Sequence, residues 1–138
     1  MSNRFIDTNI LAYACDKDEP VKQRAARNLL RHASEELVPC ISTQVVQEFY
    51  VTATRKLNIA PLKAKDIIHS FQNMRIVTVD ITDINKAIDG NILWQLSFWD
   101  ALIIVAAQKA RCEILYTEDM SDGRCFDGVT ICNPFKGL

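Results

Sequence analysis

The chain has 138 residues, 49% of them hydrophobic and 24% charged, with a formal net charge of −1. That length suits one domain over residues 1–138 with a core that needs no disulfide staple, and four Gly and four Pro leave no room for a low-complexity linker. The near-neutral balance argues against nucleic-acid binding by bulk charge alone, although a metal-bearing site would reverse the local sign.

The longest purely apolar run, Ala101 to Ala107, falls far short of the ~20 residues of a membrane span. The start, Met1-Ser2-Asn3-Arg4, has no apolar signal core, so a cytoplasmic protein with no membrane partner is expected. Five Cys, at 15, 40, 112, 125 and 132, are odd in number and lack a Cys-x-x-Cys pair, so buried reduced thiols are expected.

In chain order, Arg4-Phe5-Ile6 reads as a short first strand. Asp7 or Thr8 then caps a helix to about Cys15. Pro20 opens a second helix to about His32, with Arg24, Arg27 and Arg31 on a face away from its apolar stripe. Leu37 to Ile41 is a second strand. Ser42 or Thr43 caps a third helix to about Lys56, whose stripe includes Val45, Phe49 and Ala53. Pro61 starts a fourth helix, and the β-branched Arg75 to Val79 is a third strand. A fifth helix covers about Thr82 to Trp94. Ser97 to Asp100 matches a capping box ahead of a sixth helix that runs to about Ala110. Ile114 to Tyr116 and Val129 to Cys132 are the fourth and fifth strands, the last a candidate edge. Strands alternating with helices imply a mostly parallel sheet covered on both faces.

Four acids fall where these elements converge. Asp7 ends the first strand, and Asp119 lies just past the fourth. Asp100 is in the first turn of the helix leading to that strand, and Glu48 is about two turns into the third helix. Open α/β folds build their sites at the carboxyl ends of parallel strands. Each acid has a plainer role: Asp7 as an N-cap, Asp100 as half of a capping box, Glu48 as a solvated helix residue, Asp119 as turn chemistry beside Asp122 and Gly123. Their joint placement favours metal, because clustered carboxylates repel unless cations neutralise them. All-oxygen donors point to Mg²⁺ or Mn²⁺, ions that activate water and stabilise the leaving oxygen of a phosphodiester.

Ile6-Asp7-Thr8-Asn9-Ile10-Leu11, Gln47-Glu48-Phe49, Ser97 to Ala101 and Leu115 to Met120 together resemble the PIN-domain nucleases. The tail, Asp127 to Phe135, is similar to that of VapC-type toxins of prokaryotic toxin–antitoxin pairs. The resemblance covers nearly the whole chain. It implies a three-layer α/β/α sandwich around a five-stranded parallel sheet and a Mg²⁺- or Mn²⁺-dependent endoribonuclease. Its acidic quartet carries over to Asp7, Glu48, Asp100 and Asp119, with Asp7 and Asp100 as the leading metal ligands. Thr8, Asn9 and Thr117 match polar positions that orient those carboxylates. Glu118 and Asp122 remain alternative fourth acids. The resemblance also implies an RNA substrate, a homodimer and a cognate antitoxin. The short first strand has a more polar approach, Ser2-Asn3-Arg4, than that pattern expects.

Arg24, Arg27, Arg31, Arg55, Lys56, Lys63 and Lys65 are candidate RNA-backbone contacts. Trp94 and Trp99 are expected in the core, with base stacking as the alternative. A non-catalytic RNA- or protein-binding domain on the same fold is the main rival. A phosphatase with Asp7 as nucleophile is a weaker one, because position 9 is Asn where such enzymes carry Asp.

Overall fold

The structure, a computed structural model, describes residues 2–138. Met1, part of the N-terminal stretch weighed above as a signal sequence, lies outside them. The first strand β1 (Asn3–Ile6) leads through helices α1 (Thr8–Ala14) and α2 (Pro20–Glu36) to β2 (Val38–Ser42). Helices α3 (Thr43–Arg55) and α4 (Pro61–Ser70) lead to β3 (Arg75–Val77), and α5 (Ile81–Trp94) and α6 (Phe98–Lys109) lead to β4 (Ile114–Tyr116). The chain closes with β5 (Cys125–Phe126) and β6 (Val129–Cys132).

The sheet order is β3-β2-β1-β4-β6-β5. Every pairing is parallel except β5 with β6. The expected sheet therefore gains a sixth strand, which the sequence did not show because it spans only Cys125 and Phe126. That short strand forms the edge, and β6, read above as a candidate edge, is interior. A two-residue edge offers little backbone for unwanted pairing.

Strand order runs one way from β1 to β3 and reverses at β4. Right-handed crossovers then put α1–α4 on one face and α5–α6 on the other. The reversal between β1 and β4 is the switch point at which open α/β sheets bind ligands. Phe5 pairs with Cys40 on one side and Leu115 on the other, and all three are fully buried. Helix α6 is apolar all round through Ala101–Ala107 and is buried along that run, as such a helix must be. Among the described residues no single helix is long and apolar enough to cross a membrane.

Local chemistry sets the element ends. Ser42 caps α3 by accepting the Val45 N–H, while Thr43 accepts the Val79 N–H and ties α3 to the segment after β3. Helix α5 starts a residue before the expected position, because Asp80 and Asp83 form a full capping box. Lys109 of α6 donates to Asp83 at 2.8 Å and pins the two helices. Gly90 sits mid-helix in α5 because the Trp94 ring occupies the space a Cβ would need. Gln95, at φ 55°, ends α5 in the left-handed region and turns the chain into α6. Two further expectations fail. Of the five cysteines only Cys40 and Cys112 are buried, Cys15 and Cys132 are half-buried, and Cys125, on the outer strand, is exposed. Trp99 is 61% exposed, whereas Trp94 packs against the core as expected.

Leu115 lies at the centre of the sheet between Phe5 and Ile131. Leu115→Ala is expected to cost about 2–5 kcal/mol, read as a lower denaturant midpoint at unchanged m-value.

Candidate active site

Asp7 leaves β1 in extended conformation and caps α1. Its Oδ1 accepts the Thr8 N–H at 2.7 Å, and its Oδ2 accepts the Thr117 O–H at 2.8 Å. The capping role and the site role therefore coexist in one side chain. Thr117, fully buried just beyond β4, is the node of the site. Its one hydroxyl proton goes to Asp7, and its oxygen accepts the Asn9 amide and the Asp119 N–H, each at 3.1 Å. A threonine hydroxyl has one donor and two lone pairs, so Thr117 is saturated only if residue 7 accepts.

Each polar position of the motif holds one acid. Thr117 holds Asp7, Thr8 donates to Glu48 at 3.0 Å, and Asn9 donates to Asp119 at 2.9 Å. Asp100 enters from the start of α6, where the Ser97 hydroxyl accepts its backbone N–H at 3.1 Å. Unlike Asp83, the Asp100 carboxylate does not return a bond to its cap's backbone among the described residues, so the capping box there is half formed. Asp7, Glu48, Asp100 and Asp119 all line one pocket of about 320 Å³, with Gln44 and Trp99 at its wall.

Burial drives the electrostatics. Asp7 is 5% exposed, and desolvation pushes its pKa up to about 7. The charges of Asp119 and Glu48 push the same way, against the hydrogen bonds from Thr117 and Thr8. Asp100 is also raised, by burial first and then by Asp119, with the Ser97 hydroxyl opposing. No Lys, Arg or His forms an ion pair with any of the four acids among the described residues.

The two alternative fourth acids are engaged elsewhere. Glu118 accepts the Tyr13 hydroxyl at 2.6 Å and Lys22 at 2.9 Å. Asp122 accepts the Asn133 N–H at 2.7 Å and Lys136 at 3.1 Å, and these donors hold its carboxyl below the usual range. Glu118 also lines the pocket and its backbone N–H donates to Asn9, but of the three candidates only Asp119 has its carboxylate tied to the Asn9–Thr117 network among the described residues. Lys22 and Tyr13 gave no signal in the sequence, since their bonds to Glu118 join residues about a hundred positions apart. The phosphatase reading fits poorly, because both Asp7 oxygens are occupied by donors in a buried position.

The donor set suits a hard cation. Its oxygens are carboxylates, joined at the pocket wall by Gln44, whose buried Oε1 has no hydrogen-bond partner among the described residues. No three His, Cys, Asp or Glu side chains among those residues form a closed ligand cluster. Mg²⁺ does not require one, since it keeps several waters and uses one or two carboxylates together with substrate phosphates.

A family model for the PIN domain matches residues 4–121, a span containing all four acids. The chain belongs to the PIN-domain family. Three solved structures share the PIN fold with it. One is a VapC toxin from Mycobacterium tuberculosis described as cleaving the sarcin–ricin loop, with TM-score 0.70 and 20% identity over 84% of this chain and 91% of that one. A second is a toxin–antitoxin complex from Klebsiella pneumoniae, with TM-score 0.70 and 21% identity over 96% and 98% of the two chains. A third is VapBC2 from Rickettsia felis bound to a promoter DNA fragment, with TM-score 0.68 and 16% identity over 94% and 96%. Among curated proteins none matches the sequence significantly.

The raised Asp7 pKa has a definite linkage sign. Its folded value, about 7, lies above the ordinary 3.8, so folding favours the protonated form. This group's contribution is complete below the ordinary value and is lost as the pH rises through about 7. In EDTA, Asp7→Asn is expected to gain on the wild type across that window by on the order of a few kcal/mol, measured as the difference in thermal midpoint. A difference that does not change with pH would contradict the assignment. Thr117→Val removes the donor to Asp7 Oδ2 and the acceptor shared by the Asn9 amide and the Asp119 N–H. It is expected to cost about 1–3 kcal/mol in stability and roughly 10–100-fold in activity, with Thr117→Ser restoring both.

Proposed function

We propose that this PIN-domain protein is a Mg²⁺- or Mn²⁺-dependent endoribonuclease, the toxin of a toxin–antitoxin pair. The observation that carries this reading is Asp7: a buried carboxylate with donors on both oxygens, other acids around it and no basic partner among the described residues. Burial and like charge hold such a group toward its neutral form, and a bound cation would favour the anion. Asp7 and Asp100 would hold the ion, with Glu48 and Asp119 completing the acidic wall. When bound, the ion supplies acidity to a water and charge compensation to a phosphodiester.

The chain's own residues do the rest. Thr117, Thr8 and Asn9 fix the acids in place, so little reorganisation accompanies the reaction. Lys22 neutralises Glu118 and keeps that carboxylate from adding to the repulsion met by an incoming phosphate. Trp99 presents an exposed ring at the pocket wall, suited to stacking on a base. The toxin reading draws on the VapC and toxin–antitoxin structures that share the fold. A homodimer suits the exposed apolar set Ile88, Ile92 and Leu93 on α5, which a second copy would cover. A cytoplasmic site of action goes with this reading, since RNA is the substrate.

One observation favours the rival reading of a non-catalytic binding domain: no closed ligand cluster exists among the described residues. Metal titration separates the two readings. The folded protein binding neither ion at millimolar concentration would support the rival.

The direct test is cleavage of RNA in Mg²⁺ or Mn²⁺. Cleavage is expected to vanish in EDTA and to fall by at least about 10²-fold in Asp7→Asn, on the scale of losing a principal electrostatic group. Cleavage that survives both would refute the proposal.

A further inference from the structure

A second pocket of about 420 Å³ adjoins the acidic one. The two share Asp16, Lys56 and Leu57, at the junction of α1 and the end of α3. The second pocket is lined by Lys17, Arg27, Lys56 and Lys63 against only Asp16 and Asp18, a balance opposite to its neighbour's.

These cations are left without carboxylate partners among the described residues, in contrast to three lysines elsewhere. Lys22, Lys109 and Lys136 each pair with a carboxylate, whereas Arg27, Lys56 and Lys63 form no ion pair among the described residues. Arg27 is fixed by one bond, from Nε to the Ala14 carbonyl at 2.8 Å, and makes no other hydrogen bond among those residues. Arg27 and Lys63 also act together on the Cys15 thiol between them, each opposing the effect of its burial. Asp16 accepts the Asp18 N–H at 3.0 Å and belongs to the turn. An anchored guanidinium and three ammonium groups without ion pairs among the described residues, those of Lys17, Lys56 and Lys63, surround one concavity and match the charge of a phosphodiester chain.

We propose that this basin holds the RNA backbone flanking the scissile phosphate. Arg27 and Lys63 would contact flanking phosphates, with Lys56 at the boundary with the acidic pocket. The proposal rests on the ribonuclease reading and deepens it by separating the seven basic candidates of the sequence. Arg24, Arg31, Arg55 and Lys65 do not line the basin and are excluded from the contact.

The test is fluorescence anisotropy of labelled single-stranded RNA, measured on Asp7→Asn in Mg²⁺ and on the wild type in EDTA. Adding Arg27→Gln, Lys56→Gln and Lys63→Gln together should weaken binding at least about tenfold. It should also reduce the slope of log K against log salt by about 2, from ~0.7 per phosphate contact on a single strand. Arg24→Gln with Lys65→Gln should change neither. In the cleavage assay the triple variant should raise KM and leave kcat nearly unchanged.

Unchanged affinity and salt slope in the triple variant would overturn the proposal, and so would an absence of RNA binding by the parent proteins. Equal binding of poly-L-glutamate, lost in the same variant, would assign the basin to acidic protein segments instead and also overturn it. RNA binding that depends on the basin without any cleavage would sink the ribonuclease reading and leave the basin standing.

Discussion

The structure depends on a buried carboxylate that has no basic partner among the described residues. Asp7 lies almost out of solvent, accepts hydrogen bonds at both oxygens, and has Glu48 and Asp119 close enough to raise its pKa. The hydrogen bonds favour the anion while burial and like charge oppose it, and burial is the largest effect. A bound cation would resolve that opposition.

The fold is arranged to create this conflict at one place. Sheet order reverses between β1 and β4, and the two strand ends deliver Asp7 and Thr117 to the same crevice. Thr117 then acts as a register lock. Its hydroxyl joins Asp7 and Asn9 from the β1 side, so a slip of β4 against β1 would break both bonds at once. Fold specificity and site geometry thus rest on the same atoms. The neighbouring basin shows the complementary design, with cations left unpaired where the acidic pocket leaves anions unpaired.

Much of this was legible in the sequence, for reasons particular to the residues. Pro20, Pro61 and Ser97 mark helix starts because their local chemistry acts within a turn, and the structure keeps all three. Asp7 was readable both as a helix cap and as one of four acids meeting at the carboxyl edge of the sheet, and the structure gives it both positions. The two-residue β5 was not readable, since it exists only through its pairing with β6. The exposure of Trp99 was hidden as well. A large apolar residue at a helix start usually packs inward, and only the pocket at the adjacent sheet edge shows why this one does not. The attachment of Glu118 to Tyr13 and Lys22 escaped because the pairing is set by how α1 and α2 pack, not by spacing along the chain.

The most direct test of the central claim is calorimetric titration of the folded protein with Mg²⁺ or Mn²⁺ near pH 6, in buffers of different ionisation enthalpy. Asp7, with its pKa raised to about 7, is largely protonated under those conditions. Cation binding should therefore release close to one proton, and the release should fade about two pH units higher and be absent in Asp7→Asn. Binding that releases no proton at either pH, or the same release from Asp7→Asn, would contradict the account.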